Sequence, residues 1–277
     1  MIQGTKGYFR LKGKIWGLNN KEPRSNSATR TLSFGLQTSK ENSIFVQIGE
    51  WKNTVLTAKI KGHEMDSVEE LNEQEALDKI REVFKDGDSV YINCRSQVSL
   101  YGKRLDYFIN QIYIENEPID FDSPEFEEVN ELNQSVIIVE KPNSTSVKVG
   151  MTTYKGEMIE QELSLSDPDV KDYFFENVKV GDLMRLTLAV KNIPIYEGEG
   201  EATERKTLKG KQIKSGGKKI VDRKHIIEVV DVDIDATKVK EYDREDIRKA
   251  LELAEEQPVK NESTKVESKV QENDLPY

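Results

Sequence analysis

One stretch of this chain is said twice. Phe84-Lys85-Asp86-Gly87-Asp88-Ser89-Val90-Tyr91-Ile92-Asn93-Cys94 reads as a helix end, a glycine turn and a strand. In that strand Val90, Ile92 and Cys94 alternate with Tyr91, Asn93 and Arg95, the period of a half-buried strand. Val178-Lys179-Val180-Gly181-Asp182-Leu183-Met184-Arg185-Leu186-Thr187-Leu188 repeats the pattern, with Gly181 lying 94 positions after Gly87. Each copy follows three strand-like runs and one helix-like run, and each precedes one more strand. A motif embedded in the same order of elements is a repeated domain, and two domains of about 100 residues are of ordinary size.

The 277 residues hold one Cys and two His, which leaves no disulfide framework and no Cys/His metal site. Cys94, on the apolar side of its strand, reads as a small core residue. No apolar run approaches the ~20 residues of a membrane span, and the N-terminus lacks a signal-peptide core, so a reducing cytoplasm is expected. The formal net charge of −10 hides its distribution. Residues 1–62 carry 11 Lys/Arg against 3 Asp/Glu, and residues 201–225 carry 9 against 3. Residues 115–140 carry 9 acidic residues and no basic one. Two basic regions on an acidic background suggest a bound anion and a field that confines it.

The first strand is expected over Tyr8–Trp16. Phe9, Leu11 and Ile15 fall on one side, and Tyr8, Arg10, Lys12, Lys14 and Trp16 on the other. Three basic residues bracketed by two aromatics suit a phosphate backbone and its bases. A solvated outer face, with Lys guarding against aggregation, is the plainer alternative. A polar loop with Lys21, Arg24 and Arg30 follows. Strands are expected at Thr31–Thr38 and Ser43–Glu50, with Phe45 pointing outward and Trp51 just past the end. A helix is expected over Ser67–Phe84, capped by Ser67 with Glu70, and it carries the core stripe Leu77, Ile80 and Phe84. Ser89–Val98 and Arg104–Ile114 are the fourth and fifth strands, joined by a turn holding Tyr101 and Lys103.

Residues 118–132, with Pro118 and Pro124, read as an acidic linker. Strands follow at Gln134–Val139, Thr145–Tyr154 and Met158–Leu165, then a short helix capped by Asp167 with Pro168 in its first turn. Asp182–Asn192 and His225–Ile234 are the last two strands. Their connection, Ile193–Lys224, is a long flexible basic arm with Arg205, Lys206, Lys209, Lys211, Lys214, Lys218, Lys219, Arg223 and Lys224, expected to serve the second domain. Asp243–Glu256 is a helix, and Val259 onward reads as a disordered tail.

Five strands with a helix between the third and fourth is the order of an OB-fold, a small Greek-key barrel that takes oligonucleotides around strands 2 and 3. The fold expected is therefore mainly β: two tandem OB-fold barrels over residues 1–117 and 133–236, a C-terminal helix within 237–258, and a tail over 259–277. The chain ends Asp274-Leu275-Pro276-Tyr277. That ending resembles the acidic C-terminal tip of bacterial and phage single-stranded DNA-binding proteins. Most bacterial members carry one barrel per chain and form tetramers, so the likeness is to a phage version with two. The acidic run before the tip is diluted here by Asn273, Lys265 and Lys269. The resemblance implies single-stranded DNA binding in replication, recombination or repair, in the host bacterial cytoplasm if phage-encoded. It also implies recruitment of replication and recombination proteins through residues 274–277.

No phosphate-binding Gly-Lys loop is present, since Gly217-Lys218 lacks a Gly five positions earlier. No Gly-x-Ser-x-Gly elbow appears, and His63 and His225 have no nucleophile implied nearby. The expectation is a non-enzymatic, cofactor-free protein binding single-stranded DNA with little sequence preference. Tyr8, Trp16, Phe45, Trp51 and Tyr101 would stack on bases. Arg10, Lys12, Lys14, Arg24, Arg30, Lys103 and Arg104, with the arm, would neutralise phosphates. A phage structural or adaptor protein, and an RNA-binding barrel protein, remain open at this point.

Overall fold

The computed structural model describes residues 2–19, 21–25, 29–51, 57–197, 203–206, 212–215, 219–235 and 241–255. The chain is mainly β. In its first half run β1 (Gly7–Trp16), β2 (Arg24–Ser25), β3 (Thr29–Gln37), β4 (Ser43–Trp51), β5 (Thr57–Lys61), β6 (Glu69–Asn72), α1 (Glu73–Val83), β7 (Ser89–Ser99) and β8 (Arg104–Ile114). The second half holds β9 (Asn130–Ile138), β10 (Ser146–Thr152), β11 (Met158–Ser164), α2 (Pro168–Asn177), β12 (Leu183–Glu197), β13 (Thr203–Lys206), β14 (Gln212–Ser215), β15 (Lys219–Val232) and α3 (Arg244–Glu255).

In each half five strands close on themselves. β1 pairs with β3 and β7, β3 with β4, β4 in parallel with β8, and β8 with β7. In the second half β9 pairs with β10 and β12, β10 with β11, β11 in parallel with β15, and β15 with β12. The two glycine turns match bond for bond. The amide of Gly87 donates to the Ile15 carbonyl at 2.8 Å, and that of Gly181 to Ile138 at 2.9 Å. The Asp88 carboxylate accepts from the Lys85 amide at 2.9 Å, and that of Asp182 from Lys179 at 2.8 Å. Both glycines have positive φ, 93° and 101°, which explains why only glycine serves there.

The halves join through their equivalent first strands, β1 antiparallel to β9 with Phe9 opposite Leu132. Phe9 lies six residues before Ile15 and Leu132 six before Ile138, so equivalent residues face each other and the halves meet about a local two-fold. One hydrophobic core runs through both, including Phe9, Phe34, Ile80, Leu132, Phe174 and Val229. The N-terminus reinforces the join. Thr5 exchanges hydrogen bonds with Thr152, and buried Ile2 packs with Ile137, Tyr242 and Ile247 beneath α3. Among the described residues no helix is long and apolar enough to cross a membrane.

Three expectations need correction. The helix of the first half begins at Glu73, not Ser67. Asn72 is its cap, its side chain accepting from the amides of Gln74 and Glu75 at 3.1 and 3.0 Å. Residues 69–72 instead pair with β5, because Ala58 and Ile60 need a partner strand to complete their hairpin. The acidic segment before β9 is not a bare linker: Ile119 is buried, and Phe121 packs edge-on against Phe126 at 5.2 Å. The described residues of the basic connection after Asn192 form ribbons. β12 and β15 stay paired out to Glu197 and Lys219, where Ile193, Ile195 and Ile220 favour a strand, and β13 pairs with β14.

Candidate functional site

Trp16, Gly35 and Phe45 stand in one row across β1, β3 and β4. Gly35 makes the row flat. A Cβ there would sit 2.0 Å from Trp16 Cε2, so the indole lies directly on the bare backbone of β3. The Phe45 ring meets the indole edge-on, with centroids 5.3 Å apart. Lys21 Nζ lies 5.6 Å from the centre of the Phe45 ring. Trp16 remains 37% exposed and Phe45 49%, enough for either ring to take a partner.

A groove of about 650 Å³ begins at Phe45 and runs along β3 and β4 to the start of β8. Lys21 and Arg24 line one part of it, and Arg104 and Arg223 another, with Tyr107 in the floor. Its carboxylates are both occupied: Glu22 accepts from Arg81 at 2.7 Å, and Asp106 from Arg104 Nε at 3.0 Å. The groove is therefore net cationic, apolar at one end, and shaped to take an anion with flat rings.

The second half supplies part of that wall. Asn192, Arg223 and His225 come from the β12–β15 ribbon. They are seated by Asn42: its Nδ2 donates to the Val190 carbonyl at 2.9 Å, and its Oδ1 accepts from the Asn192 amide at 2.8 Å. The exchange is mutual. The Lys103 carbonyl, in the β7–β8 turn, accepts from Gln161 Nε2 on β11 at 2.6 Å. Each half thus sends its β-ribbon connection to the other half's outer face, and the basic arm is rooted at the first half's groove, not the second's.

The remaining expected residues divide by their surroundings. Arg24, Phe45 and Arg104 line the groove, with Trp16 beside it. Tyr8 is exposed on β1, and Tyr101 is 92% exposed at the tip of the β7–β8 turn. Arg30 is turned to α1, donating twice to Asp78 at 2.7 and 3.0 Å and holding that carboxyl below its usual range. Along the outer face of β1 the cations meet carboxylates and a ring of the acidic connector and the start of β9. Arg10 pairs with Glu131 at 2.5 Å, raising the guanidinium and lowering the carboxyl through their hydrogen bond. Lys12 pairs with Glu115 at 2.7 Å, Lys14 lies 5.2 Å from the Phe121 ring centre, and Lys40 pairs with Asp122.

Trp51 ends β4, but its side chain lies outside the described residues. So do the side chains of Arg205, Lys206, Lys214 and Lys219, whose backbone belongs to β13, β14 and β15. Lys209, Lys211, Lys218 and the tip Asp274, Leu275, Pro276 and Tyr277 lie outside them altogether. Asn192 and His225 escaped the sequence reading, and Arg223, expected in the arm of the second half, lines this groove instead, because only the pairing of the two halves brings all three there. Cys94 is fully buried, and burial pushes its thiol well above its usual range, as a core residue requires.

A solved structure of a deletion mutant of the single-stranded DNA-binding protein from Thermus aquaticus is similar at 9% identity, covering 84% of this chain and 95% of that one with a TM-score of 0.43. No curated protein matches. The stretch that builds both rings and α3 is what one family model recognises: the YorF model matches residues 10–265, and the chain belongs to the YorF family.

Proposed function

We propose that this protein binds single-stranded DNA with little sequence preference, and that it does so without catalysing a reaction. The observation that carries this reading is the Trp16–Phe45 platform at the head of a groove lined by Lys21, Arg24, Arg104 and Arg223. Bases stack on aromatic faces whatever their identity, at roughly 1–3 kcal/mol per base, and cations along a groove track phosphates. The closed strand order supports reading each half as an OB-fold barrel, over residues 1–117 and 133–236, and the groove lies on the strands that such barrels use for oligonucleotides. Edge-stacked rings beside guanidinium and ammonium groups hold a polyanion; they do not supply a nucleophile and its base.

The finer biology rests on the ending Asp274-Leu275-Pro276-Tyr277. On that basis the protein acts in phage or bacterial DNA replication, recombination or repair, in the cytoplasm, and recruits partner proteins by its tip. The test is fluorescence anisotropy of a labelled dT oligomer of about 30 nucleotides against a duplex of equal length, across a salt series. Tight single-strand binding, weak duplex binding and an affinity that falls linearly on log–log axes are expected. Quenching of Trp emission should accompany binding. Absence of binding at low salt would overturn the reading and leave the groove to a protein partner.

A further inference from the structure

His225 sits in the groove, yet it is not one of its cations. Its neighbour Asn192 is fixed from several sides. The Asn192 amide N–H donates to Asn42 Oδ1 at 2.8 Å, its Nδ2 donates to the Ser43 carbonyl at 2.9 Å, and its own carbonyl accepts from Arg223 Nη1 at 3.2 Å. With Nδ2 committed to a carbonyl, Asn192 Oδ1 is the atom left facing His225 Nδ1, at 2.7 Å. An amide oxygen only accepts, so Nδ1 carries the ring proton. Desolvation by the surrounding groove residues and the nearby Arg104 both push the imidazole below its ordinary value of 6.5, so at neutral pH the ring is uncharged. A neutral imidazole with a proton on Nδ1 has a lone pair on Nε2. The groove therefore gains a neutral hydrogen-bond acceptor beside Arg104 and Arg223.

A DNA strand has few groups that can answer an acceptor. Phosphates and the ring oxygen of deoxyribose only accept. The donors are the N–H groups of the bases, and in thymine N3–H is the sole one, consumed by pairing in a duplex. Resting on the groove as the site of single-stranded DNA, we propose that His225 Nε2 accepts a hydrogen bond from the Watson–Crick N–H edge of an unpaired base. Every base carries an N–H on that edge, so the contact is tolerant of sequence but demands that the base be unpaired. Stacking and phosphate pairing hold the strand; His225 checks that its bases are free.

The full-length protein is titrated with a labelled dT oligomer and with the same oligomer built from N3-methylthymidine, which keeps the phosphates and the ring face but loses the N–H. The wild type should bind the methylated strand about 3- to 10-fold more weakly, the span of one hydrogen bond. His225→Ala should bind both strands alike, at the weaker level. His225→Gln, whose amide oxygen can still accept, should recover part of the preference. Equal binding of the two strands by the wild type, or a preference kept in His225→Ala, would overturn the assignment while leaving the groove intact. Failure of the wild type to bind either strand would remove the groove reading and the assignment together. If His225→Ala instead loses discrimination between ribose and deoxyribose strands with the N3–H effect unchanged, the acceptor reads a 2′-hydroxyl and the base-edge role is wrong.

Discussion

The same row of three strands carries opposite chemistry in the two halves. Ile15 and Ile138 make the same bonds to the two glycine turns. Counting from them, Trp16 opposite Gly35 corresponds to Val139, whose amide donates to the Lys148 carbonyl. Gly35 opposite Phe45 corresponds to Lys148 opposite Glu162. Where the first half has Trp–Gly–Phe, the second has Val–Lys–Glu. Lys148 is claimed by Glu140 at 2.5 Å, chiefly raising its pKa through that hydrogen bond, and Glu160 and Glu162 add to the effect. One fold thus presents a flat, ring-bearing, cationic face and an acidic face that repels phosphate. A polyanion sampling both faces would be confined to the first.

The strongest way to break this comparison is to truncate both rows. Trp16→Ala with Phe45→Ala should weaken binding of a dT oligomer by about 10- to 100-fold or more, since each stacked base contributes roughly 1–3 kcal/mol. Val139→Ala with Glu162→Ala should leave the anisotropy midpoint within about twofold, because no ring or phosphate contact is lost. Equal losses would mean that both faces bind and that the charge difference decides nothing.

The glycine turns test the equivalence from the side of stability. At Gly87 an added Cβ would have nothing within 4 Å, so Gly87→Ala should cost only the positive-φ strain, about 1–2 kcal/mol. At Gly181 the same Cβ would lie 2.1 Å from the Tyr242 carbonyl oxygen. That carbonyl belongs to the backbone leading into α3, which cannot move alone, so Gly181→Ala should cost about 3 kcal/mol or more. Urea denaturation of the two variants gives the difference directly. If they match, the α3 attachment is softer than its contacts suggest.

Much of this was legible in the sequence because it is local. The glycine turns announce themselves by Gly-Asp followed by alternation, and the outer row of β1 by Tyr8, Arg10, Lys12, Lys14 and Trp16. The failures share one cause: each needed a partner distant in sequence. Ser67 and Glu70 satisfy a capping pattern, but pairing of Glu69–Asn72 with β5 moves the helix start to Asn72. Residues 115–131 have a linker's composition, yet their carboxylates sit against Arg10 and Lys12 of β1 and Lys40 of the β3–β4 connection. Asn192 and His225 alternate like any edge strand. Only the β1–β9 pairing of the two halves turns them into the wall of a groove belonging to the first.

That connector offers a sharper test of which surface of the first half meets DNA. The basic outer face of β1 is occupied by carboxylates, so it can contribute only if they are displaced. Glu115→Gln, Asp122→Asn and Glu131→Gln together should raise affinity for a dT oligomer by roughly 2- to 10-fold at low salt, and the gain should fade as salt rises, because these pairs are partly open to solvent. An unchanged low-salt affinity would place Arg10, Lys12 and Lys14 off the path of the strand and leave the groove along β3 and β4 as the whole site.

The smallest expected effect separates the two halves by pH. The His225 imidazole is held below 6.5 by burial and by Arg104, so the unfolded chain takes up its proton first as pH falls. The uncharged ring's contribution to stability is full above about pH 6.5 and declines as pH falls from there toward the folded value. Glu131, Asp78 and Glu228 behave differently. Each is lowered chiefly by a hydrogen bond from Arg10, Arg30 or Lys191, so their contribution persists above about pH 4.5 and is lost only as pH falls through the lowered values. Thermal melts between pH 7 and 3 should therefore show a shallow first decline below 6.5 and a second below 4.5. His225→Gln should abolish the first and leave the second. If the decline near 6.5 survives the substitution, the uncharged ring of His225 is not its source, and the pH response does not report on the wall that the second half lends to the first.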